Sequence, residues 1–429
     1  MPSNNKILII TYYWPPCGGA GVQRWLKFTK YMPEYGWEPL VLTVDPSYAQ
    51  YPAVDESLKV DINPSLKVYR TKAMNYFMLG KSSRSKKQLS SGSVFDNNNI
   101  RNRLARFIRG NFFIPDPRKG WNRYAIGKAS ELIREEGINY VVTTSPPHST
   151  QLIGLKLKSL FPGIKWICDL RDPWTDIYYY RKFYSTLPAR IYDRRLEKKV
   201  LQQADRVTTV GKRLAELFSS KLNNAGEKIS VITNGYDEED FASESTENNT
   251  GRTTITYVGS ISDQYPVRGF LSALNKLYLT GELNKLTVRF VGKLSSRIKS
   301  IIDSSPVSTA IECIPYTDHK KAVQYMIEST ILLMLIPEYK QNEIIITGKL
   351  FEYLRSKRVI LCIGPPDGDA ADIIHEMKSG NVFKDSATES IKSFILEHRN
   401  TIRLKTDTRK FSHRYIVKQL SEHITHNHL

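Results

Sequence analysis

Residues 6–21 read KILIITYYWPPCGGAG, an apolar run that ends in a glycine-rich turn. The apolar run predicts a buried strand over Lys6–Tyr12, and the 3.6-residue spacing after the glycines predicts a helix over Val22–Met32. A second unit of the same kind begins at Thr254–Val258, which runs into Gly259-Ser260. Two strand–glycine–helix units in one chain indicate two sheets, each opened by its own buried strand.

Elsewhere along the chain, short apolar runs alternate with segments of helical spacing. This alternation is typical of parallel sheets with helices on both faces. We therefore predict an α/β fold of two Rossmann-like, doubly wound domains, and we expect the facing domains to enclose a ligand cleft beyond the carboxyl ends of their strands. The further predicted strands are Pro39–Val44, Tyr140–Thr144, Lys165–Cys168, Arg206–Val210, Leu286–Val291, Ile331–Ile336 and Val359–Ile363.

A polar stretch without periodicity separates the two halves. Phe241–Arg252 is rich in Ser, Glu, Asn and Thr, so we place the domain boundary near Asn234–Arg252. The predicted domains are residues 1–235 and residues 253–400, and residues 401–429 form a helical segment that can return to the first domain. Residues 81–99 are rich in Ser, Asn and Lys and predict a flexible excursion.

The composition limits the partners and the compartment. The 429 residues carry a formal net charge of +19, which favours an anionic partner such as a phosphorylated substrate, a nucleic acid or an acidic membrane. The four cysteines form no CxxC pair, so a zinc ribbon or a disulfide framework is not expected. No apolar run approaches the length of about 18–20 residues that spans a membrane. We expect a cytoplasmic protein.

The glycines of the first turn suit an anion. Gly18, Gly19 and Gly21 lie between a strand and a helix, where small residues let the backbone and the free amides of the helix approach a phosphate. A tight turn without any ligand is an equal alternative. The spacing is not GxGxxG, which argues against an NAD enzyme.

Two more loops of the first domain carry polar residues directly after predicted strands. His148 lies in SPPHS, residues 145–149, and Asp169, Arg171 and Asp172 lie in DLRDPW. Their side chains are predicted to bind an acceptor or to stabilise charge at a reacting centre. The alternative is a structural turn in which the arginine pairs with the carboxylates.

In the second domain the sharpest pattern is TGKLFEYL, residues 347–354. Thr347 is the predicted N-cap of a helix, and Lys349 and Glu352 then share one face of its first turn. A cation and a carboxylate at a helix start suit a nucleoside diphosphate, with the cation on phosphate and the carboxylate on ribose hydroxyls. Arg268, near another helix start, suits the diphosphate as well. An exposed ion pair and a surface arginine are the alternatives.

No bound catalytic metal is expected. Asp367 and Asp369 form a DxD pattern, but they lie in a turn rich in Pro and Gly, without clustered His, Cys or further carboxylates. A loop is the better interpretation of this segment.

The stretch Lys81–Arg134 is strongly basic. It contains thirteen Lys and Arg residues and three acidic residues, which gives a local net charge of +10. Arg101, Arg103, Arg106 and Arg109 alternate with apolar residues such as Phe107, Ile108 and Phe112, which is typical of a segment at a membrane interface. A solvated helix face and a nucleic-acid contact are the alternatives, although no recognisable nucleic-acid module accompanies the charge.

Together these motifs resemble glycosyltransferases of the GT-B type, and specifically bacterial members of glycosyltransferase family 4. The resemblance extends over nearly the whole chain. It rests on five segments: YWPPCGG at 13–19, DLRDPW at 169–174, TNGYD at 233–237, YVGS at 257–260 and GKLFEYL at 348–354.

The resemblance implies a retaining, metal-independent transferase of the hexosyltransferase type, with no cofactor. A nucleotide sugar is the donor, and a glycan or lipid-linked molecule is the acceptor. The second domain would hold the donor and the first the acceptor. By resemblance the donor-binding residues are Gly19, Gly259, Arg268, Lys349 and Glu352.

The same resemblance makes Asp172 the implied catalytic residue, near the position of a first-domain polar residue beside the transferred sugar. His148 and Arg171, which follow predicted strands, are assigned to the acceptor. One position departs from the family, which often has a second glutamate eight residues before the ribose-binding one. Ile344 stands there, with Glu343 as its neighbour.

The favoured function is therefore sugar transfer in surface polysaccharide biosynthesis, in the cytoplasm and at the inner face of the plasma membrane. An anionic membrane is an expected partner and nucleic acid is not. Two alternatives remain: a nucleotide-sugar epimerase of the same architecture, and a non-catalytic nucleic-acid-binding protein.

Overall fold

The structure is a computed structural model. It describes residues 5–74, 100–178, 180–223, 228–241, 252–282 and 285–425, apart from the side chains of Ala20, Arg101 and Arg181. The predicted excursion, residues 81–99, and most of the predicted linker lie outside the described residues. The chain forms two compact units, Met1–Thr233 with Ile416–Leu429, and Asn234–Tyr415.

The first unit is built on a parallel sheet of seven strands in the order β3-β2-β1-β4-β5-β6-β7. Strand β1 is central because Ile7–Ile10 are fully buried. Ile10 pairs with Leu42 on one side and with Thr143 on the other, so the carboxyl ends of three strands meet at one edge. The strands are β1 (Asn5–Ile10), β2 (Trp37–Val44), β3 (Lys67–Thr71), β4 (Tyr140–Ser145), β5 (Lys165–Leu170), β6 (Arg206–Thr209) and β7 (Ile229–Val231).

Helices cover both faces of this sheet and close two apolar cores. The helices of the first unit are α1 (Ala20–Tyr31), α2 (Ile100–Phe112), α3 (Asn122–Glu136), α4 (Ser149–Leu160), α5 (Leu187–Gln203) and α6 (Lys212–Ser219). The last helix of the chain, His413–Thr425, brings Ile416, Val417 and Leu420 into the same core cluster as Trp25 and Phe28 of α1.

The second unit has a parallel sheet of six strands in the order β10-β9-β8-β11-β12-β13. Its strands are β8 (Thr253–Val258), β9 (Leu286–Val291), β10 (Ile311–Ile314), β11 (Ile331–Leu335), β12 (Val359–Ile363) and β13 (Gly380–Phe383). Its helices are α7 (Arg268–Leu279), α8 (Ser296–Asp303), α9 (His319–Ile327), α10 (Lys349–Ser356), α11 (Asp369–Glu376) and α12 (Thr388–His398), and the helix His413–Thr425 is α13.

The predicted fold class is confirmed, since both units are Rossmann-like parallel sheets. Every predicted strand is present, with ends that differ by no more than two residues. The sequence did not reveal β3, β7, β10 and β13, which are the four edge strands. Edge strands are short and half-exposed, so they lack the apolar run that marks a central strand.

A buried carboxylate at the end of β5 joins the elements of the first unit. Asp169 has no exposed surface, and its oxygens accept hydrogen bonds from Trp25 Nε1 and Thr144 Oγ1 at 2.8 Å and from Thr208 Oγ1 at 2.9 Å. Arg24 Nη2 lies 3.1 Å from Oδ1. Burial by itself raises the pKa of a carboxyl, but Arg24 and the hydrogen bonds outweigh burial and hold the pKa of Asp169 below its usual value.

Asp169→Asn is expected to lower the free energy of unfolding by about 3–5 kcal/mol, because it removes the carboxylate that pairs with the buried Arg24. The folded-state pKa of Asp169 is lowered, so its stabilisation is present above the unfolded pKa of about 3.9 and is lost as the pH falls through the folded pKa. Urea unfolding across that pH range measures both effects.

The exposed Glu135 provides the matched control, since Glu135→Gln should change the unfolding free energy by less than about 0.5 kcal/mol. Equal stability of Asp169→Asn and the wild type would contradict the anchoring role.

Candidate functional site

In the first unit, the glycine turn after β1 is held in place from the neighbouring strands. Gly19 adopts a φ of 97°, a left-handed conformation that favours glycine, and it precedes α1 without a side-chain cap. Arg171 Nη1 donates to the carbonyl oxygen of Gly21 at 2.9 Å, and its Nε donates to that of Ser145 at the same distance. The guanidinium of Arg171 therefore connects the ends of β4 and β5 to the start of α1.

In the segment after β5, one charged residue is hydrogen-bonded inside the sheet and two are half-buried. Asp169 is fully engaged inside the sheet, as described above. Arg171 is half-buried, and its Nη2 has no hydrogen-bond partner among the described residues. Asp172 is half-buried, and burial raises the pKa of its carboxyl although Arg171 opposes this. Asp172 and Arg171 Nη2 are thus the groups of this segment that remain for a ligand.

His148 lies at the end of the loop after β4, stacked on Trp174 with ring centroids 5.2 Å apart and ring planes 11° apart. Both ring nitrogens are buried and have no hydrogen-bond partner among the described residues. Burial lowers the pKa of His148 to about 4, so the imidazole is neutral at neutral pH. A neutral ring can both donate and accept one hydrogen bond.

A pocket of about 110 Å³ opens beside His148 and Trp174. Asp193 of α5 accepts hydrogen bonds from Trp174 Nε1 and from the Tyr180 hydroxyl, both at 2.8 Å, and burial raises the pKa of Asp193 to about 6. The sequence offered no signal for Asp193, because it lies inside a helix. Further residues of the pocket wall are Tyr13, Arg109, Phe113, Asp116, Arg118 and Phe183.

In the second unit, the start of α10 lies against the end of β8. Lys349 Nζ donates to the Tyr257 hydroxyl at 2.8 Å and lies 4.1 Å from the centre of the Tyr257 ring. A Cβ on Gly259 would lie only 2.5 Å from Lys349 Nζ, so glycine is needed there for the lysine to reach this position. Burial lowers the pKa of Lys349 to about 7, and Glu352 only partly opposes this shift.

The predicted N-cap of α10 is wrong by one residue. The helix begins at Lys349 after Gly348, which has helical φ and ψ and no side chain to cap the first turn. Thr347 instead directs its hydroxyl to Met334 Sδ at 3.7 Å. Lys349 and Glu352 share the first turn as predicted. No side chain caps this turn, although the amides of Leu350 and Phe351 already donate to the carbonyl oxygens of Thr347 and Gly348.

The carboxylate of Glu352 has a neighbour that the sequence did not reveal. His319 Nε2 lies 3.5 Å from Glu352 Oε1 and 3.2 Å from Asp240 Oδ2. The three residues belong to α10, to the first position of α9 and to the 3₁₀ turn Glu238–Phe241. They are far apart in the sequence, so no local motif connects them.

Arg268 is exposed at the first position of α7. The adjacent amide of Gly269 already donates to Asp385 Oδ1 at 2.8 Å, so this helix start carries a carboxylate. Ile344 closes the 3₁₀ turn Asn342–Ile344, and its neighbour Glu343 is half-buried.

The DxD pattern does not form a carboxylate pair at one surface, because Asp367 is exposed and Asp369 is buried in the first turn of α11. Among the described residues, no three His, Cys, Asp or Glu side chains converge in a way that suits a metal ion. Nor does any helix in the described part of the chain have the length and apolarity to cross a membrane.

The outer face of α2 is apolar and exposed. Leu104 is 59% exposed and Phe112 is 67% exposed. The arginines of α2 are less free than the sequence suggested, because Arg106 is buried and both it and Arg103 lie over the ring of Tyr184. The turn before α5 is attached to α2, since Thr186 N and Oγ1 both donate to Asn111 Oδ1.

Helix α5 extends this surface. Leu187, Arg190, Ile191, Arg194 and Lys198 recur at helical spacing and are all exposed. We call the exposed side chains of α2 and α5 the α2–α5 surface; on α2 they are Ile100, Leu104, Phe107, Ile108 and Phe112.

Comparison with known families supports the predicted resemblance. Residues 90–240, which include the loops with His148, Arg171 and Asp172, match the family described as Glycosyltransferase Family 4. No curated protein sequence matches the chain significantly. The resemblance to this family is thus confirmed.

Similar solved structures extend over both units. The chain is similar to sucrose-phosphate synthase from Thermosynechococcus elongatus, with a TM-score of 0.62 and 12% identity over 97% of this chain and 98% of that one. It is similar to the lipopolysaccharide outer core galactosyltransferase WaaB, with a TM-score of 0.59 and 11% identity over 98% and 99%. It is also similar to a putative UDP-N-acetylglucosamine 2-epimerase from Listeria monocytogenes, with a TM-score of 0.53 and 10% identity over 97% and 94%.

At such low identities these structures establish the GT-B fold alone, which transferases and an epimerase share. The family match adds the class for residues 90–240, which match Glycosyltransferase Family 4, and the chain has the fold of GT-B glycosyltransferases.

The lowered pKa of Lys349 predicts a pH dependence of anion binding. Above a pH of about 7 the ammonium loses its proton, so the affinity for a nucleoside diphosphate should fall, by up to about tenfold per pH unit. Lys349→Arg keeps its charge throughout, and the phosphate titrates equally with both proteins. Calorimetry from pH 6 to pH 9 should therefore show a fall for the wild type relative to this variant. Parallel pH profiles would contradict the assignment.

Proposed function

We propose that the protein transfers a hexosyl group from a nucleotide sugar to a glycan or lipid-linked acceptor in surface polysaccharide biosynthesis. Transfer retains the configuration of the anomeric carbon and needs neither a metal ion nor a cofactor. The observation that carries the proposal is the first turn of α10. There Lys349 lies against Tyr257 and Gly259 at the end of β8, and Glu352 lies beside His319.

The donor is assigned to the second unit. The N-terminal end of α10 and the ammonium of Lys349 offset the charge of the diphosphate, and Arg268 adds a cation from the start of α7. Glu352 accepts hydrogen bonds from the ribose hydroxyls. These cationic groups replace the divalent ion that many phosphate sites use. With Ile344 at the position of the family's second glutamate, the sugar hydroxyls are left to the backbone amides of residues 345–348.

The acceptor is assigned to the first unit. The pocket beside His148 combines aromatic rings with a few polar groups, which is the composition of a sugar-binding site. Neutral His148 and Nη2 of Arg171 have no partner among the described residues and are offered to acceptor hydroxyls. Asp172 is assigned to the neighbourhood of the transferred sugar, and Gly19 to the donor phosphates.

The resemblance supplies the course of the reaction. The acceptor oxygen forms a bond to the anomeric carbon on the face from which the diphosphate departs. The carbon–oxygen bond to the diphosphate breaks, and the acceptor proton passes to the departing phosphate oxygen. The residues named here bind and orient, and no enzyme nucleophile takes part.

Glu352→Ala should weaken binding of the nucleotide-sugar donor by about 1.5–3 kcal/mol, the value of a charge-assisted hydrogen bond. The preferred donor is first found by thermal shift with uridine, guanosine and adenosine diphosphate sugars, since a bound donor raises the melting temperature. Calorimetry then measures its affinity for the variant, with Glu376→Ala on exposed α11 as the control.

Unchanged affinity in a folded Glu352 variant would remove this residue from the donor site. Transfer to an acceptor should persist in EDTA. An epimerase would instead convert the nucleotide sugar without any acceptor, and salt-dependent nucleic-acid binding without donor binding would favour the non-catalytic alternative.

Peripheral attachment to the cytoplasmic face of an anionic membrane is the second part of the proposal. The α2–α5 surface combines exposed apolar side chains with the basic residues of α5. Apolar side chains enter the lipid boundary, and each basic residue near anionic lipid contributes about 1 kcal/mol. Such attachment brings the enzyme to lipid-linked acceptors.

Combined replacement of Leu104, Phe107 and Phe112 by Ser should abolish sedimentation with anionic liposomes and leave donor binding unchanged. Apolar burial contributes about 25 cal/mol per Å², so three lost side chains weaken binding strongly. The control replaces Leu279 and Ile402, which are 71% and 51% exposed in the second unit, by Ser. Failure of the wild-type protein to sediment with anionic liposomes at low salt would contradict the membrane role.

A further inference from the structure

In the second unit, the imidazole of His319 lies between the carboxylates of Asp240 and Glu352. His319 Nε2 lies 3.2 Å from Asp240 Oδ2 and 3.5 Å from Glu352 Oε1. One ring nitrogen thus faces two carboxylates from two other elements. The N–H at Nε2 can donate to either carboxylate, and the plane of the imidazole limits where the two carboxylates can lie.

The position of His319 is itself well defined. His319 is the first residue of α9, and the preceding Asp318 caps this helix by accepting a hydrogen bond from the amide of Lys321 at 2.9 Å. A residue fixed by a helix cap has little backbone freedom. The imidazole therefore presents Nε2 to Glu352 from a rigid element.

Glu352 needs such a neighbour because its side chain has three rotatable bonds. The obvious competitor is Lys349, one turn before it on α10, with which it could form an i,i+3 ion pair. Lys349 Nζ instead donates to the Tyr257 hydroxyl at 2.8 Å. The ammonium of Lys349 and the carboxylate of Glu352 therefore contact different partners. Each of them can then bind a different part of one ligand.

The three side chains are half-buried, so they can contact a ligand and are also partly shielded from water. The side chains of His319, Glu352 and Asp240 are 26%, 22% and 20% exposed. At this depth the effective dielectric constant is below that of water, so charge-assisted hydrogen bonds are stronger than at the surface.

We propose that His319 is a positioning residue, which holds the Glu352 carboxylate toward the ribose hydroxyls and so makes the enzyme select ribonucleotide over 2′-deoxyribonucleotide donors. This inference rests on the proposed function, in which Glu352 binds ribose. A site built to hydrogen-bond a hydroxyl discriminates strongly against a ligand that lacks it, because a polar group of the site is then left unpaired. That discrimination requires a carboxylate held in place.

The test compares binding of UDP with 2′-deoxy-UDP, and of the guanosine and adenosine pairs, by calorimetry on the full chain. The measured quantity is the ratio of the ribo to the deoxy affinity. His319→Ala should lower this ratio by about tenfold, the equivalent of one charge-assisted hydrogen bond. His319→Gln should recover part of the ratio, because the glutamine amide can donate from nearly the position of Nε2.

The control is His375→Gln, which changes an exposed histidine of α11 that contacts Asn381. It should leave the ratio unchanged. Asp240→Asn should lower the ratio less than His319→Ala, since it loosens the imidazole without removing it. Asp240→Asn and His319→Gln conserve shape, so they keep the test decisive where the alanine variant does not fold.

Two different failures are distinguishable. If Glu352→Ala lowers the ratio and every folded His319 and Asp240 variant keeps it, the positioning role is wrong and the ribose assignment stands. If Glu352→Ala also keeps the ratio, or if the wild type binds both nucleotides equally, the proposed role of Glu352 in the donor site is wrong.

Discussion

The buried carboxylate of Asp169 is the point at which the elements of the first unit are joined. It receives hydrogen bonds from α1, β4 and β6, and Arg24 beside it also donates to the carbonyl oxygen of Thr233 at 2.7 Å. A buried charge is stable only when it is paired and hydrogen-bonded. Asp169 meets that condition and so fixes the strand ends from which His148, Arg171 and Asp172 extend.

Lys349 of the second unit is a half-buried charge of the opposite kind. Its ammonium donates to the phenol of Tyr257 and contacts that ring, but its described contacts include no carboxylate within ion-pair distance. Desolvation lowers the pKa of Lys349 to about 7, with Glu352 only partly opposing this, whereas the pKa of the fully paired Asp169 is held below its usual value. Incompletely compensated charges of this kind are typical of ligand sites, and in the proposed function an anionic diphosphate supplies the missing charge.

The sequence predicted the central strands and the first turn of α10, because both depend on local patterns: apolar runs, glycines and the i,i+3 spacing of Lys349 and Glu352. It did not predict the edge strands, which are half-exposed. Nor did it predict Asp193 beside Trp174 or His319 beside Glu352. These pairs arise from the packing of elements that are distant in the sequence. Thr347 looked like an N-cap by residue type, but the chain enters α10 through Gly348.

The central claim is that a nucleotide sugar binds at the first turn of α10. Hydrogen–deuterium exchange of the full chain, with and without the nucleotide sugar that most raises the melting temperature, tests it directly. The account predicts slower exchange at the amides of residues 345–352 and around Gly259, at the end of β8. Slower exchange confined to other segments, or no change at saturating nucleotide sugar, would contradict it.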